Sequence, residues 1–375
     1  MLSLAMIILA ILAFWALIMI IGTIKFKDSE SVEVAPFQLI WRTKRFLNFI
    51  YKVGREKKNF WKIYGDIGII VGFIGMGVVL YYLTRQAYKI LHPQGPVVPG
   101  AQLVIPGVTI PLTYGLIALA VLLIVHELSH GLVAVAEGIP LKSVGLVLFF
   151  IIPGAFVEPD EDAFKKAPLR SRLRVLGAGS FANIIVALIA LLIINGIGLA
   201  FEPAGVEVQG VVKGSPAEGI LHPGDVIVGI DGKNFTTIEE FIRIMNETRP
   251  NQTITVTVLK NGKIETLKIT LAEHPEKPGK GFIGIYPTQH LISKIGFTRE
   301  LMTLFFTFYW IYVLNIGIGL MNLLPLYPLD GGRMLMDTLT EKFPRVGKPI
   351  GYSIVALSLV LLIINILPSI RGLTG

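Results

Sequence analysis

Apolar positions gather into six long runs, at 3–22, 67–84, 111–136, 175–200, 301–324 and 350–368. Each approaches the roughly 20 residues that a helix needs to cross a bilayer. A seventh run, 143–157, is apolar but too short to cross. It predicts a re-entrant β-hairpin, which a membrane tolerates only where protein or a cavity covers the backbone. Between 203 and 290 the pattern changes to strand alternation, as in Thr253-Ile254-Thr255-Val256-Thr257-Val258. Asp231-Gly232 and Asn261-Gly262 are hairpin turn signals, and Thr237-Ile238-Glu239-Glu240 is a capping box that predicts a helix through about Met245. The predicted fold class is a polytopic α-helical membrane protein with about six transmembrane helices, a re-entrant β-hairpin and an inserted small α+β domain. The divisions are 1–110 (N-terminal helices and a basic segment), 111–200 (first part of the membrane core), 203–290 (inserted domain) and 300–375 (second part of the core).

Charge sorts the connections. Residues 25–65 carry ten Lys or Arg, among them Arg42, Lys44, Arg45, Lys52, Arg55, Lys57 and Lys58. Further basic groups fall at Lys165, Lys166, Arg170, Arg172 and Arg174, and at Arg333, Lys342, Arg345 and Lys348. The positive-inside tendency assigns these three segments to the cytoplasm. The inserted domain, the Pro/Gly-rich connection 92–108 and both termini then fall outside. The first run has no basic start and reads as a retained helix, not a cleavable signal. Phe and Trp interleaved in 25–65 suggest either amphipathic segments on the membrane surface or a solvated loop.

Composition agrees with a membrane protein: 53% hydrophobic, 16% charged, mean hydropathy +0.67. The net charge of +8 lies largely beside the spans. It therefore reads as topology and contact with membrane lipid, not as nucleic-acid binding. The chain has no cysteine, which leaves His, Asp and Glu as metal ligands.

The chemistry gathers inside the third run, at His126-Glu127-Leu128-Ser129-His130. Positions i and i+4 share a helix face about 6 Å apart along the axis, so both imidazoles can reach one Zn2+. Glu127 suits a base that takes a proton from water at the metal. No charged residue occurs from Ile110 to Val125 or from Gly131 to Ala136. An ionisable cluster in such a setting is costly and points to function. A catalytic zinc site needs a third protein ligand. Asp330 emerges from an apolar run on the same predicted side and is the best choice; the alternative is a surface ion pair with Arg333. Glu137 and Glu158 stand next in line. Asn183, deep in the fourth run, needs a polar partner, while Gly177 and Gly179 read as sites of close helix approach.

H-E-x-x-H in a span, Gly179-Ser180-Phe181-Ala182-Asn183, and the later Asn322-Leu323-Leu324-Pro325-Leu326-Tyr327-Pro328-Leu329-Asp330-Gly331 together resemble the site-2 protease family of intramembrane zinc metalloproteases. The resemblance covers about 110–340. It implies His126, His130 and Asp330 as zinc ligands, Glu127 as the catalytic base, and Asn183 as a group that binds substrate backbone or stabilises the oxyanion. Asn322 matches the motif and reads as structural. The 143–157 hairpin is similar to the family's membrane-embedded edge strand, on which an unwound substrate helix could pair. Residues 203–290 resemble a PDZ domain, through Val211-Val212-Lys213-Gly214-Ser215-Pro216-Ala217 and Pro223-Gly224-Asp225-Val226-Ile227. Phe282, Ile283, Gly284 and Ile285 resemble its carboxylate-binding strand, either taking C-terminal peptides or serving only as core. The implied function is hydrolysis of peptide bonds in membrane-spanning protein substrates at the cell membrane, with the zinc site toward the cytoplasm. The alternative is a non-catalytic membrane adaptor that holds partners through the PDZ-like domain.

Overall fold

The computed structural model describes residues 4–26, 29, 31–149, 152–260 and 262–374. In chain order, α1 (Leu4–Lys25) precedes a hairpin of β1 (Val32–Ala35) and β2 (Gln38–Thr43). Helices α2 (Leu47–Glu56), α3 (Lys58–Leu91) and α4 (Leu112–Ala136) follow, then β3 (Leu141–Phe149), β4 (Ile152–Pro159), α5 (Glu161–Lys166) and α6 (Leu169–Gly198). The inserted segment holds β5 (Phe201–Val211), β6 (Val226–Ile230), β7 (Lys233–Asn234), α7 (Ile238–Glu247), β8 (Thr253–Lys260), β9 (Lys263–Thr270), β10 (Ala272–His274), β11 (Lys277–Phe282) and β12 (Ile285–Ser293). The chain ends with α8 (Thr298–Met321), α9 (Asp330–Lys342) and α10 (Gly347–Thr374).

Among the described residues five helices are long and apolar enough to cross a membrane: α3, α4, α6, α8 and the stretch Gly347–Ile370 of α10. The first run of the sequence is α1. Two compact units result, one from Met1–Leu192 with Phe306–Gly375, the other from Ile193–Phe305.

In the first unit, Leu132, Val133 and Ala134 of α4 pack with Leu173 and Leu176 of α6 and with Leu323 and Met334. The amphipathic α2 buries Leu47, Ile50 and Gly54 and leaves Phe49 exposed. The expected two-stranded hairpin is half of a larger sheet. Strands run β1-β2-β3-β4, all antiparallel, with Arg42 of β2 opposite Gly145 of β3. Sequence reasoning therefore missed β1 and β2, which lie in the basic segment read as surface helix or loop. Their alternation is only four and six residues long, and the strand that completes them lies some hundred residues away. The free edge beside α4 belongs to β4; β3 is interior. Residues 150–151, inside the predicted 143–157 hairpin, lie outside the described residues.

The second unit is an antiparallel sheet of order β12-β5-β6-β8-β9, with β7 paired to β6 and a separate β10–β11 ribbon. Val206, Val208, Ile227, Ile254, Val256 and Val258 fill its core. The capping box forms as the sequence predicts. Thr237 Oγ1 accepts from Glu240 N–H, and Glu240 Oε2 accepts from the N–H groups of Thr236 and Thr237. Those three bonds satisfy donors that the first turn of α7 would otherwise leave unpaired. Of the two turn signals, Asp231-Gly232 joins β6 to β7; Asn261 lies outside the described residues.

Candidate metal centre

Helical spacing on α4 stacks His126 over His130, with Nε2 atoms 3.1 Å apart. Asp330 arrives from the far side of the sequence as the first residue of α9. Past α8, two prolines break the helix, and the chain folds back so that Gly331 N–H donates to Asn322 O at 2.9 Å. A Cβ on Gly331 would overlap the Leu323 carbonyl, so this return needs glycine. Asp330 Oδ2 ends 3.2 Å from Nε2 of each histidine.

These three atoms fit a metal ion. Ligands bonded to tetrahedral zinc at about 2.0–2.1 Å lie about 3.3 Å from one another, close to the separations found here. Both histidines are buried. His130 Nδ1 lies 2.7 Å from Val175 O, so its proton is donated there and Nε2 keeps its lone pair. His126 Nδ1 lies 3.1 Å from Asn183 Nδ2, while Asn183 Oδ1 has no partner. Turning that amide over lets Oδ1 accept an Nδ1 proton and gives His126 the same tautomer. His126, His130 and Asp330 are the one such His/Asp/Glu group among the described residues.

Asn183, which the family likeness implied as a group for substrate backbone or the oxyanion, lies beside His126. It is fully buried on the Nδ1 side of His126, away from the shared Nε2 face. From there it can orient the ring. Asn322, read from sequence as structural, also carries an amide to His126, its Nδ2 3.2 Å from Nε2. Helix depth predicted that Asn183 needs a partner; no signal in the sequence says which side of the ring it takes. The Glu127 carboxylate is half-buried and accepts from Val157 N–H of β4 at 2.9 Å.

The reserve carboxylates are engaged elsewhere. Glu137 accepts from Ser171 and, at 2.8 Å, from Arg174, which also binds Asp66. Glu158 accepts from Ser143 Oγ. Arg333 does not pair with Asp330; it lies over the Phe164 ring, 5.0 Å from the centroid. Arg172 of α6 donates to Asp337 at 3.0 Å and to Glu341, gripping the face of α9 that carries Asp330 seven residues earlier. Burial pushes the Asp337 carboxyl upward, and Arg172 opposes that shift.

In the second unit, Phe282 ends β11 and Ile285 opens β12. Ile283 and Ile285 are buried in the core. The Ile283 carbonyl accepts from Ala217 N–H, and the Gly284 carbonyl accepts from Val212 N–H and Ser215 Oγ. Gly284 takes φ +84°, a left-handed conformation that favours glycine.

Residues 114–363 match peptidase family M50. An uncharacterized protein of Methanocaldococcus jannaschii is 31% identical over 83% of this chain and 81% of its own length. A membrane-bound transcription factor site-2 protease homolog of Arabidopsis thaliana is 26% identical over 49% of this chain and 37% of its own. The zinc metalloprotease RasP of Geobacillus kaustophilus is 24% identical over 50% and 55%. Among solved structures, the PDZ domain of an SdrC-like protein from Listeria innocua is 36% identical over 23% of this chain and 96% of its own, with a TM-score of 0.22.

Proposed function

Because the chain belongs to peptidase family M50, we propose that it is a zinc endopeptidase that hydrolyses peptide bonds within or near the transmembrane helices of membrane-anchored proteins. The observation that carries this reading is the convergence of His126, His130 and Asp330 on one point, with Glu127 beside them on α4. A zinc ion held by these three supplies Lewis acidity toward a peptide carbonyl and a water that ionises near neutral pH. Glu127 takes the proton of the attacking water and returns it to the leaving nitrogen. Asn322, whose amide lies beside His126 Nε2, offers an N–H to the peptide oxygen. Val175 O and Asn183 hold the two rings in the tautomer that leaves Nε2 unprotonated.

Substrate choice follows from the setting. Two of the three donors, His126 and His130, sit with Glu127 on α4, whose hydropathy and length suit a membrane span, so the bonds that reach them belong to chains already in the bilayer. The free edge of β4 offers backbone groups to an unwound substrate segment. The basic segments support a zinc site toward the cytoplasm and a 203–290 PDZ-like domain outside, where it would select or exclude substrates, by C-terminal peptides or by size. The test is mass-spectrometric mapping of cuts in a detergent-solubilised transmembrane peptide. Cuts within the apolar span that a zinc chelator abolishes and added zinc restores support the reading. Chelator-resistant cuts, or cuts confined to the polar flanks, sink it.

A further inference from the structure

We propose that the backbone N–H of Val157, on the free edge of β4, is a positioning group for the Glu127 carboxylate; this rests on Glu127 serving as the base. The bond from Val157 N to Glu127 Oε2 is 2.9 Å and is the one hydrogen bond that this carboxylate makes among the described residues. A glutamate side chain has three rotatable bonds, and α4 by itself fixes none of them toward the metal. The strand supplies the missing constraint.

Strand geometry makes the assignment specific. Among the described residues β4 pairs only with β3, so its other edge is open. Amides two residues apart point the same way along a strand. Because Val157 N–H points out to Glu127, positions 153, 155 and 159 face outward too. Pro153 and Pro159 carry no N–H. The open edge therefore holds two amide donors, Ala155 and Val157, and one of them is committed to the base. The strand is also set down on α4 beside that glutamate. Gly131 lies one turn beyond Glu127, and a Cβ there would come 3.1 Å from Val157 Cγ1. A side chain at 131 would press on β4 at the residue whose amide reaches Glu127.

The same geometry supplies a clean test. Proline at 157 removes the N–H without taking a bond from the β3–β4 ladder, as Pro153 already does in the same register. In purified protein, Val157→Pro is expected to keep zinc near one per chain and KM near wild type. Its kcat should fall about 10- to 100-fold, the effect of one hydrogen bond to a charged group. Val157→Ala keeps the N–H and should lose no more than about threefold; in a Glu127→Gln background, Val157→Pro should add nothing further. The proposal is overturned if Val157→Pro turns over like Val157→Ala, if it loses zinc, or if its effect persists without Glu127. Should the proline variant fail to accumulate, Gly131→Ala decides: it pushes the strand outward and should lower kcat with zinc retained, and an unchanged kcat rejects the proposal. Full activity of Glu127→Gln alone would instead reject the reading of Glu127 as base, a separately visible outcome.

Discussion

Replacing Gly179 by alanine should weaken metal binding at the site while leaving the fold in place. A Cβ at this position would overlap His130 Nε2, the nitrogen that faces the other donors, and would lie 2.7 and 2.8 Å from His126 Cε1 and Nδ1. Neither ring can easily yield. His130 is tied through Nδ1 to Val175 O at 2.7 Å, and His126 is backed by Asn183. One methyl forced into a tight site costs about 1–3 kcal/mol. Because the displaced atoms are the donors, that cost falls on the bound state, weakening zinc binding by about 5- to 150-fold. Competition against a chromophoric chelator in detergent reads this directly. Gly177→Ala is the contrast: its Cβ would meet the Gly68 carbonyl carbon of α3 at 2.6 Å, and its nearest neighbours are backbone atoms of α3, not the donors. It should lower the thermal midpoint and spare the zinc affinity of the folded protein. If Gly179→Ala binds zinc within about twofold of wild type, the donors are not held as described, since overpacking of this kind is not free.

Three further outcomes are expected. Cysteines introduced singly at Ser215 and Lys57 are unique reporters in a chain that has none; an impermeant thiol reagent on intact cells should label the first and not the second, and the reverse would overturn the proposed orientation. Thr237→Ala should destabilise the inserted domain by about 1 kcal/mol. Backbone amides hold the Glu240 carboxyl below its ordinary value of 4.5, so its contribution is present above that pH and is lost as pH falls through the lowered folded value; a thermal midpoint independent of pH in this range would contradict the capping role. Exchanging 203–290 for a flexible linker should change which substrates are cut while zinc binding persists; a linker variant that binds zinc yet cuts no transmembrane peptide would refute this.

Some of the structure could be read before any coordinate. The pairing of His126 with His130 follows from four-residue spacing, and the helix start at Thr237 follows from a glutamate three residues on. Asp330 was legible because prolines and glycines force irregular backbone just where an apolar run ends. What could not be read shares one cause: it depends on direction or on a distant partner. β1 and β2 become a sheet only through β3, and the lysines and arginines around them pointed to a surface segment instead. Gly179 announced that something comes close, not that two imidazoles do. Asn183 and Asn322 each carry an amide toward His126, and only geometry tells which meets Nδ1 and which Nε2. The tie between Glu127 and Val157 joins a helix to a backbone amide 30 residues away, for which no side-chain pattern exists.

The central claim is that His126, His130 and Asp330 hold zinc while Glu127 moves the proton, and metal content measured beside turnover tests it most directly. Glu127→Gln keeps the side-chain shape and removes the base; zinc should stay near one per chain while cleavage falls by about 10²–10⁴. Asp330→Asn exchanges an anionic ligand for a neutral amide. Zinc should be lost on purification, and activity should return in part when zinc is supplied in excess. An Asp330→Asn protein with full zinc and wild-type cleavage would contradict the account.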